Sequence, residues 1–271
     1  MGDYRLLSRT RDLAERHHIA VSGEGTTTVV LGNGYGTDLN FWSGILPWLE
    51  RRYRVVRFDW ATDPTHFEAS RYADIDAYAE DLLAVLCATN APPCVFIGHS
   101  MSGMVGMAAA EMEPTFFRQM VMLAPAPRYV SDEGYVAGFD NDAIDALLGR
   151  MGENYMAWIE EFAPRAVGND GGASAIDEFA RSLEAMRPDI AYAMALTVFH
   201  LDVRDRLDAF TTPTTIIQPT DDPAVPVAVG EYLAGRWPHA RLEIIEASGH
   251  FPHLTAPGQV IAVLGKVLPG A

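Results

Sequence analysis

The stretch CVFIGHSMSGMVGMAAA, residues 94–110, combines three patterns that decide the fold. Residues 94–97 are apolar and typical of a strand, and residues 104–110 are typical of a helix. Between them lies a polar turn of small residues, Gly98-His99-Ser100-Met101-Ser102. The turn fits the G-x-S-x-G pattern that joins a strand to a helix, with a serine at the last glycine position. Such a turn presents the Ser100 hydroxyl at the carboxyl end of a sheet, so Ser100 is the candidate nucleophile.

Strands and helices alternate on both sides of this turn. The pattern predicts strands at 26–31, 54–58, 94–97 and 120–123, with helices at 41–51, 72–87 and 101–113. Alternation of this kind predicts a mostly parallel sheet flanked by helices.

The alternation stops after residue 131. Four amphipathic segments follow without a predicted strand, at 141–151, 154–162, 175–186 and 188–199. Strands then return at 214–217 and 242–245, with helices at 226–236 and 259–268. We therefore predict an α/β core formed by residues 1–131 and 208–271, with a four-helix lid, 132–207, inserted before the last two strands.

The composition predicts a globular protein with an acidic surface. The chain has 271 residues, 49% of them hydrophobic and 21% charged, and a formal net charge of −16. Such a surface repels phosphate backbones and anionic membranes, so nucleic-acid and membrane partners are not expected. Both cysteines, Cys87 and Cys94, are expected to be buried, and two cysteines form no disulfide framework. With a charged N-terminus that lacks a signal-peptide core, these features predict a cytoplasmic location.

A serine nucleophile needs a base, and the chain has eight histidines. His250 lies in ASGHFPH, after the last predicted strand, where the chain order Ser…Asp…His puts the base. A histidine of an exposed loop is the alternative. His253 is expected behind the site or at a helix start, and His17, His18 and His239 are expected to be exposed.

The orienting carboxylate is sought in QPTDDPAVP, after the strand at 214–217. Asp221 and Asp222 cannot both face the histidine, and Asp222 is preferred. Either one could instead cap the helix that follows.

The turn Gly32-Asn33-Gly34-Tyr35-Gly36 follows the first predicted strand. Turns at this place supply one oxyanion-hole N–H, and the residue after the serine supplies another, which gives Tyr35 and Met101. The G-x-G-x-G pattern could also suggest a dinucleotide site, but no βαβ unit with an acidic residue about 20 positions on accompanies it. No metal-ligand spacing is present, so neither a cofactor nor a metal is predicted.

Taken together, these motifs resemble the α/β-hydrolase superfamily. Within it, the chain resembles the branch of the bacterial stress-regulator hydrolase RsbQ and the plant strigolactone and karrikin receptor hydrolases. The resemblance extends from about residue 19 to 268. It is carried by GNGYGTDLNFW (32–42), FIGHSMSG (96–103), LAPAPRYVSDEGYVAGF (123–139), NYMAWIEEFAP (154–164), MRPDIA (186–191), TVFHLDVR (197–204) and GHFPHLTAP (249–257).

The resemblance implies a catalytic triad of Ser100, Asp222 and His250. It also implies pocket positions, all aromatic except the histidine: Tyr35, His99, Tyr129, Trp158, Phe162 and Phe199. Aromatic walls suit a small apolar ligand with a few polar atoms. The alternative is that these rings only join the lid to the core.

Two stretches depart from the pattern of the relatives. FDWATDPTH (58–66) stands where they usually have a glycine-rich stretch near the pocket mouth, which puts the substrate range in doubt. Asn33 stands where relatives often carry histidine, so the hydrogen bonds of that turn are expected to differ.

The leading hypothesis is a serine hydrolase that cleaves a small ester or lactone through an acyl-enzyme. A second is an RsbQ-like signalling hydrolase or receptor, which turns over slowly and binds a regulatory partner of the phosphatase type. A carbon–carbon bond hydrolase or a perhydrolase would use the same triad, and the fold alone does not separate these reactions. Enzymes with an aspartate nucleophile are disfavoured because the turn holds serine.

Overall fold

A computed structural model of the protein describes residues 13–270. Within these residues a seven-stranded sheet has the order β1-β3-β2-β4-β5-β6-β7. Neighbouring strands are parallel, except that β1 runs antiparallel to β3. The strands are β1 (Ala20–Ser22), β2 (Thr28–Gly32), β3 (Arg54–Arg57), β4 (Cys94–His99), β5 (Phe117–Leu123), β6 (Thr214–Asp221) and β7 (Ala240–Ser248).

The central strands are buried on both faces, which explains their continuous apolar runs. Because side chains alternate along a strand, Val95 and Ile97 join the apolar cluster on one face and Phe96 joins the cluster on the other. The same alternation separates Val29 from Val30 in β2.

Helices cover both faces of this sheet. Besides the helical residues 13–16, the α-helices in the described part of the chain are α1 (Leu46–Glu50), α2 (Ile75–Ala88), α3 (Met101–Met112), α4 (Asn141–Glu153), α5 (Tyr155–Val167), α6 (Gly172–Glu184), α7 (Pro188–Phe199), α8 (Val227–Arg236), α9 (Pro252–Thr255) and α10 (Pro257–Val267). Several begin at an Asp or Asn whose side chain accepts a backbone N–H of the first turn: Asp74 before α2, Asp140 before α4 and Asn154 before α5.

Helices α4–α7 follow β5 and precede β6, and we call them the four-helix insertion. Charged pairs hold together the chain segments that lead into it and out of it. Arg128 pairs with Asp202 at 2.7 Å, and Arg204 makes a two-bonded pair with Asp132 at 2.8 and 2.9 Å. The predicted fold class is confirmed, whereas the exact limits of a core and a lid stay a prediction.

Three elements differ from the sequence expectations. Strand β1 was not predicted, because three half-exposed residues at a sheet edge carry no periodic signal. The helix expected at 41–51 is a 3₁₀ segment, Leu39–Gly44, followed by α1. The short α9 was also not predicted.

Two expectations about burial were wrong. Cys87 is exposed, because the buried side of α2 includes Leu86 and the next residue lies about 100° further round the helix. His17 is only 1% exposed, and its Nδ1–H donates to the backbone oxygen of Asp59 at 2.9 Å. No helix among residues 13–270 has the length and apolar character needed to cross a membrane.

Candidate active site

The candidate nucleophile lies between β4 and α3 in a strained turn. Ser100 has φ 57° and ψ −124°, a conformation that a non-glycine residue adopts at a cost of roughly 1–3 kcal/mol. A Cβ at Gly98 would lie 2.7 Å from the backbone oxygen of Ser102, so the position before the nucleophile must be glycine. The turn therefore requires Gly98 but tolerates a serine at 102.

Ser102, which replaces the usual glycine, has a bonding partner of its own. Its side chain is fully buried, and its hydroxyl donates to the backbone oxygen of Asn33. This bond links the nucleophile turn to the turn after β2.

Three side chains form a continuous hydrogen-bonded chain at the carboxyl edge of the sheet. Ser100 Oγ lies 2.8 Å from His250 Nε2, and His250 Nδ1 lies 2.8 Å from Asp222 Oδ2. Ser100 follows β4, Asp222 follows β6, and His250 follows β7. Because these strands are parallel, their carboxyl ends bring the three residues to one edge of the sheet. The Asp222 side chain is fully buried, and that of His250 is 9% exposed.

Of the two adjacent acids, the structure brings Asp222 to the histidine. Its second oxygen, Oδ1, accepts the backbone N–H groups of Ala224 and Val225 at 2.8 and 3.0 Å, which fixes the carboxylate plane. Asp221 turns to the exposed side and accepts a hydrogen bond from the Ser248 hydroxyl at 2.8 Å.

A further hydroxyl contacts the candidate nucleophile. Tyr129 OH lies 3.0 Å from Ser100 Oγ and is buried. Because His250 donates its Nδ1–H to Asp222, its Nε2 accepts the Ser100 proton. Tyr129 must then donate to Ser100 Oγ. Burial raises the pKa of Tyr129 well above its ordinary value, so its hydroxyl keeps this proton at neutral pH.

The turn after β2 is held next to the nucleophile. A Cβ at Gly34 would lie 3.3 Å from the Ser100 Cβ. The Asn33 side chain donates to the Phe58 backbone oxygen at 2.8 Å and accepts the Trp42 indole N–H at 2.7 Å. The Asn33 backbone oxygen also accepts the Trp60 indole N–H at 2.8 Å. Asparagine at this position therefore has a full set of partners.

The two predicted oxyanion donors are chain neighbours of residues at the nucleophile turn, Met101 next to Ser100 and Tyr35 next to Gly34. Met101 is the first residue of α3, so its N–H has no acceptor within the helix. Tyr35 follows Gly34 in the adjacent turn. The geometry brings both backbones close to Ser100, and their role as oxyanion donors stays a prediction.

Behind His250, the candidate base, lie two uncharged histidines, His99 and His253. His99 donates its Nε2–H to the backbone oxygen of His250 at 2.7 Å, and the rings of His99 and His253 lie 4.7 Å apart. Burial holds the pKa of His99 well below its ordinary value. Burial, with a smaller contribution from His250, lowers the pKa of His253 to about 3. Both rings are therefore neutral and fix the position of the His250 loop without competing for its proton.

A cavity of about 470 Å³ opens over the nucleophile between the sheet edge and the four-helix insertion. Its walls include Ser100, His250 and four of the predicted pocket residues: Tyr35, Tyr129, Phe162 and Phe199. The Tyr35 hydroxyl donates to the backbone oxygen of Ala191 in α7 at 3.0 Å, so this ring also joins core to insertion.

Two predicted pocket residues do not line this cavity. His99 lies behind His250, as described above. Trp158 stacks on Phe162 with ring centroids 4.5 Å apart and supports the wall from behind. The stretch 58–66 does not contribute to the cavity either, so its unusual sequence does not shape the wall.

Sequence reasoning missed several lining residues. They include three rings, Phe139, Phe179 and Phe251, and two charged residues, Arg150 and Arg165. Phe251 directly follows the predicted base, and Phe139 ends a stretch already quoted, so proximity to those motifs could have indicated both.

The fold, the strained serine turn and the Ser–His–Asp contacts are those of α/β hydrolases. The chain belongs to the family described as the alpha/beta hydrolase fold, whose model matches residues 27–257.

Within this family, the similarity is to the karrikin and strigolactone receptor hydrolases of plants. The chain is 42% identical to the karrikin insensitive 2 receptor IA of Petunia hybrida, over 91% of this chain and 92% of the receptor. It is 36% identical to the strigolactone esterase D14 of Arabidopsis thaliana, over 95% and 98% of the two chains. A solved structure of a hydrolase from Oleispira antarctica, olei00960, superposes with a TM-score of 0.92 at 31% identity, covering 95% of this chain and 96% of that one.

Proposed function

We propose that this protein is a serine hydrolase that cleaves a small ester or lactone through an acyl-enzyme. The observation that carries the proposal is the unbroken chain of contacts from Ser100 Oγ through His250 to Asp222, each 2.8 Å long. It ends at the wall of a cavity in the size range that small-molecule ligands occupy. Relatives named as esterases support the same chemistry.

In this mechanism Ser100 attacks the carbonyl carbon while His250 Nε2 takes its proton. Asp222 keeps the histidine proton on Nδ1 and stabilises the imidazolium that forms. The backbone N–H groups of Tyr35 and Met101 bind the oxyanion, and each donor of this kind contributes about 3–4 kcal/mol. His250 then passes its proton to the leaving group, and water hydrolyses the ester at Ser100 with His250 again acting as base.

Tyr129 prepares the nucleophile in the free enzyme. By donating to Ser100 Oγ, it leaves the serine proton directed at His250. The same hydroxyl stands beside the scissile bond once a substrate enters, and there it can donate to a polar atom of the ligand.

The walls favour a compact, mostly apolar substrate. Aromatic rings from the core and the insertion surround the nucleophile, so the acyl or alcohol portion packs against rings while the carbonyl faces the backbone donors. A ligand of the karrikin or strigolactone type, which the names of relatives mention, is one candidate for such a space.

The test is steady-state hydrolysis of 4-nitrophenyl acetate and butyrate by the wild type and by Ser100→Ala. The matched control is Ser43→Ala, which removes an exposed serine outside the cavity. We expect Ser100→Ala to lose turnover and Ser43→Ala to retain it. Full turnover in Ser100→Ala would contradict the proposal.

A second candidate is a receptor that turns over slowly and binds a regulatory protein. Its support is the 42% identity to a protein named as a receptor, over nine-tenths of both chains. A burst of one nitrophenol per enzyme followed by near-zero turnover would favour it, whereas sustained turnover would favour the metabolic enzyme. The protein partner and the cytoplasmic location both stay predictions.

A further inference from the structure

The charges on the cavity wall differ from those of the rest of the chain. The chain has 36 acidic and 20 basic residues. Yet the wall residues that carry a permanent charge are Arg150 and Arg165, and none of the described residues that line the cavity is Asp or Glu. The charge of this wall is therefore positive, whereas the net charge of the chain is negative.

Arg165 lies close to the catalytic elements. It is on α5, where Phe162, Arg165 and Ala166 share the side that faces the cavity. The Ala166 backbone oxygen accepts the His250 N–H at 2.8 Å, so Arg165 is one residue from the bond that ties α5 to the histidine loop. Among residues 13–270, no carboxylate forms an ion pair with Arg165.

Arg150 lies on the facing helix, α4. Ala143, Ala146, Leu147 and Arg150 form its cavity side at helical spacing. Its Nε is 3.7 Å from Glu161 Oε2, and both side chains are well exposed, so this pair is weak and screened by salt. Both arginines line the cavity and are exposed to solvent, so they lie at its rim. One is weakly paired, and the other has no acidic partner among the described residues.

Stabilisation of helix ends is the simpler explanation for both arginines. Each lies in the last turn of its helix, where a positive charge interacts favourably with the helix dipole. Arg181 occupies the same position in α6, but it lies outside the cavity and bonds to the Asp177 backbone oxygen of its own helix. Helix-end stabilisation thus accounts for all three residues, but it does not explain a cavity wall that carries two arginines and no acid.

We propose that the substrate or ligand carries a carboxylate, or a similar anionic group, at the end remote from its scissile carbonyl. Arg165 binds this group, with Arg150 beside it. A guanidinium matches a carboxylate with two parallel N–H···O bonds, and a protein of net charge −16 needs local positive charge to admit an anion. This inference rests on the proposed hydrolase function and narrows its substrate class.

The test compares two substrates that differ by one negative charge, mono-4-nitrophenyl adipate and methyl 4-nitrophenyl adipate. The measured quantity is the ratio of their kcat/KM values at low and high salt. We expect Arg165→Gln to lower the acid-to-ester ratio by about 1.4-fold to fivefold, the range for an exposed ion pair. We expect 0.5 M NaCl to shrink the wild-type ratio, because salt screens exposed charges.

Two further variants separate ligand binding from helix stability. Glu161→Gln releases Arg150 from its pair, so the acid-to-ester ratio should rise. Arg181→Gln, the matched control, should leave the ratio unchanged although it also removes a last-turn arginine. A ratio that is equal in the wild type, Arg165→Gln and Glu161→Gln would overturn the inference.

Failure of the hydrolase proposal gives a different result. In that case the wild type hydrolyses neither ester, and the charge preference is read from binding to Ser100→Ala by calorimetry. The probes are monomethyl adipate and dimethyl adipate, which differ only by the one carboxylate remote from an ester carbonyl. Stronger binding of monomethyl adipate, lost when Arg165→Gln is added, would support the inference, and equal binding of both probes would overturn it.

Discussion

Replacing Asp222 by asparagine changes a single atom of the hydrogen-bonded chain and should disable the base. Oδ1 of Asp222 accepts two backbone N–H groups, from Ala224 and Val225. The asparagine oxygen will keep these two bonds, so its NH₂ group will face His250 Nδ1, 2.8 Å away. Nδ1 must then act as acceptor, and the histidine proton moves to Nε2, where it faces Ser100 and blocks proton removal.

The magnitude follows from the alternative orientation. Turning the asparagine so that its oxygen faces His250 leaves the N–H groups of Ala224 and Val225 opposite an NH₂ group. Each unsatisfied buried N–H costs about 1–3 kcal/mol, so the active tautomer lies about 2–6 kcal/mol above the inactive one. The imidazolium also loses its counter-charge. We expect kcat to fall by about 10³- to 10⁴-fold, and the same substitution in a serine protease triad lowers kcat by about 10⁴-fold.

The assay is 4-nitrophenyl acetate hydrolysis, with the unfolding midpoint measured alongside. Asp221→Asn is the matched control, because it makes the same change one residue away on the exposed side. We expect it to stay within about twofold of the wild type, since surface substitutions rarely exceed 0.5 kcal/mol. An Asp222→Asn enzyme within tenfold of the wild type, or an equal loss in Asp221→Asn, would refute this reasoning.

Three further predictions follow from the surroundings of the nucleophile. Gly34→Ala should abolish most ester hydrolysis, since its Cβ would lie 2.4 Å from His99 Nδ1; unchanged kcat/KM would contradict this. Tyr129→Phe should lower kcat/KM by about fivefold, the worth of one neutral hydrogen bond to Ser100, and a loss above 100-fold would show a larger role. The third concerns pH: His253 takes up a proton near pH 6.5 when unfolded but only near pH 3 when folded, so stability falls as the pH drops below 6.5. Urea unfolding at pH 7 and 5 should show about 2 kcal/mol from this residue, absent in His253→Leu.

The central strands and the nucleophile turn could be predicted from the sequence because both have local signals. A buried parallel strand is an apolar run, and the serine turn is a fixed spacing of small residues, so β4, Ser100 and α3 each carry their own signal. The order of the motifs then points to His250, since each strand end must come to the same edge of the sheet.

Features that depend on packing between distant segments could not be read in this way. The sequence favours Asp222 over Asp221 but does not show what holds it inward, and the structure supplies this in the Ala224 and Val225 N–H groups that bind Asp222. Trp158 and Phe162 have similar sequence signals, yet only Phe162 lines the cavity. The difference depends on how α5 is rotated against its neighbours.

Charge at the cavity rim is the clearest case of this limit. Arg150 and Arg165 read as ordinary last-turn arginines of two amphipathic helices, and this explanation is locally sufficient. Only the three-dimensional arrangement shows that they share one cavity wall. His17 is similar, because its burial comes from contact with Asp59, 42 positions along the chain.

The measurement that tests the central claim most directly is the mass of the intact protein during turnover of 4-nitrophenyl butyrate, quenched in acid within the first turnover. We expect a mass increase equal to one butyryl group, located on the peptide that contains Ser100. If His250→Ala is acylated, the adduct should accumulate further in that variant. Ser100→Ala should show no increase. Nitrophenol release without any acyl adduct on Ser100, or an adduct that persists in Ser100→Ala, would contradict a mechanism in which this serine is the nucleophile.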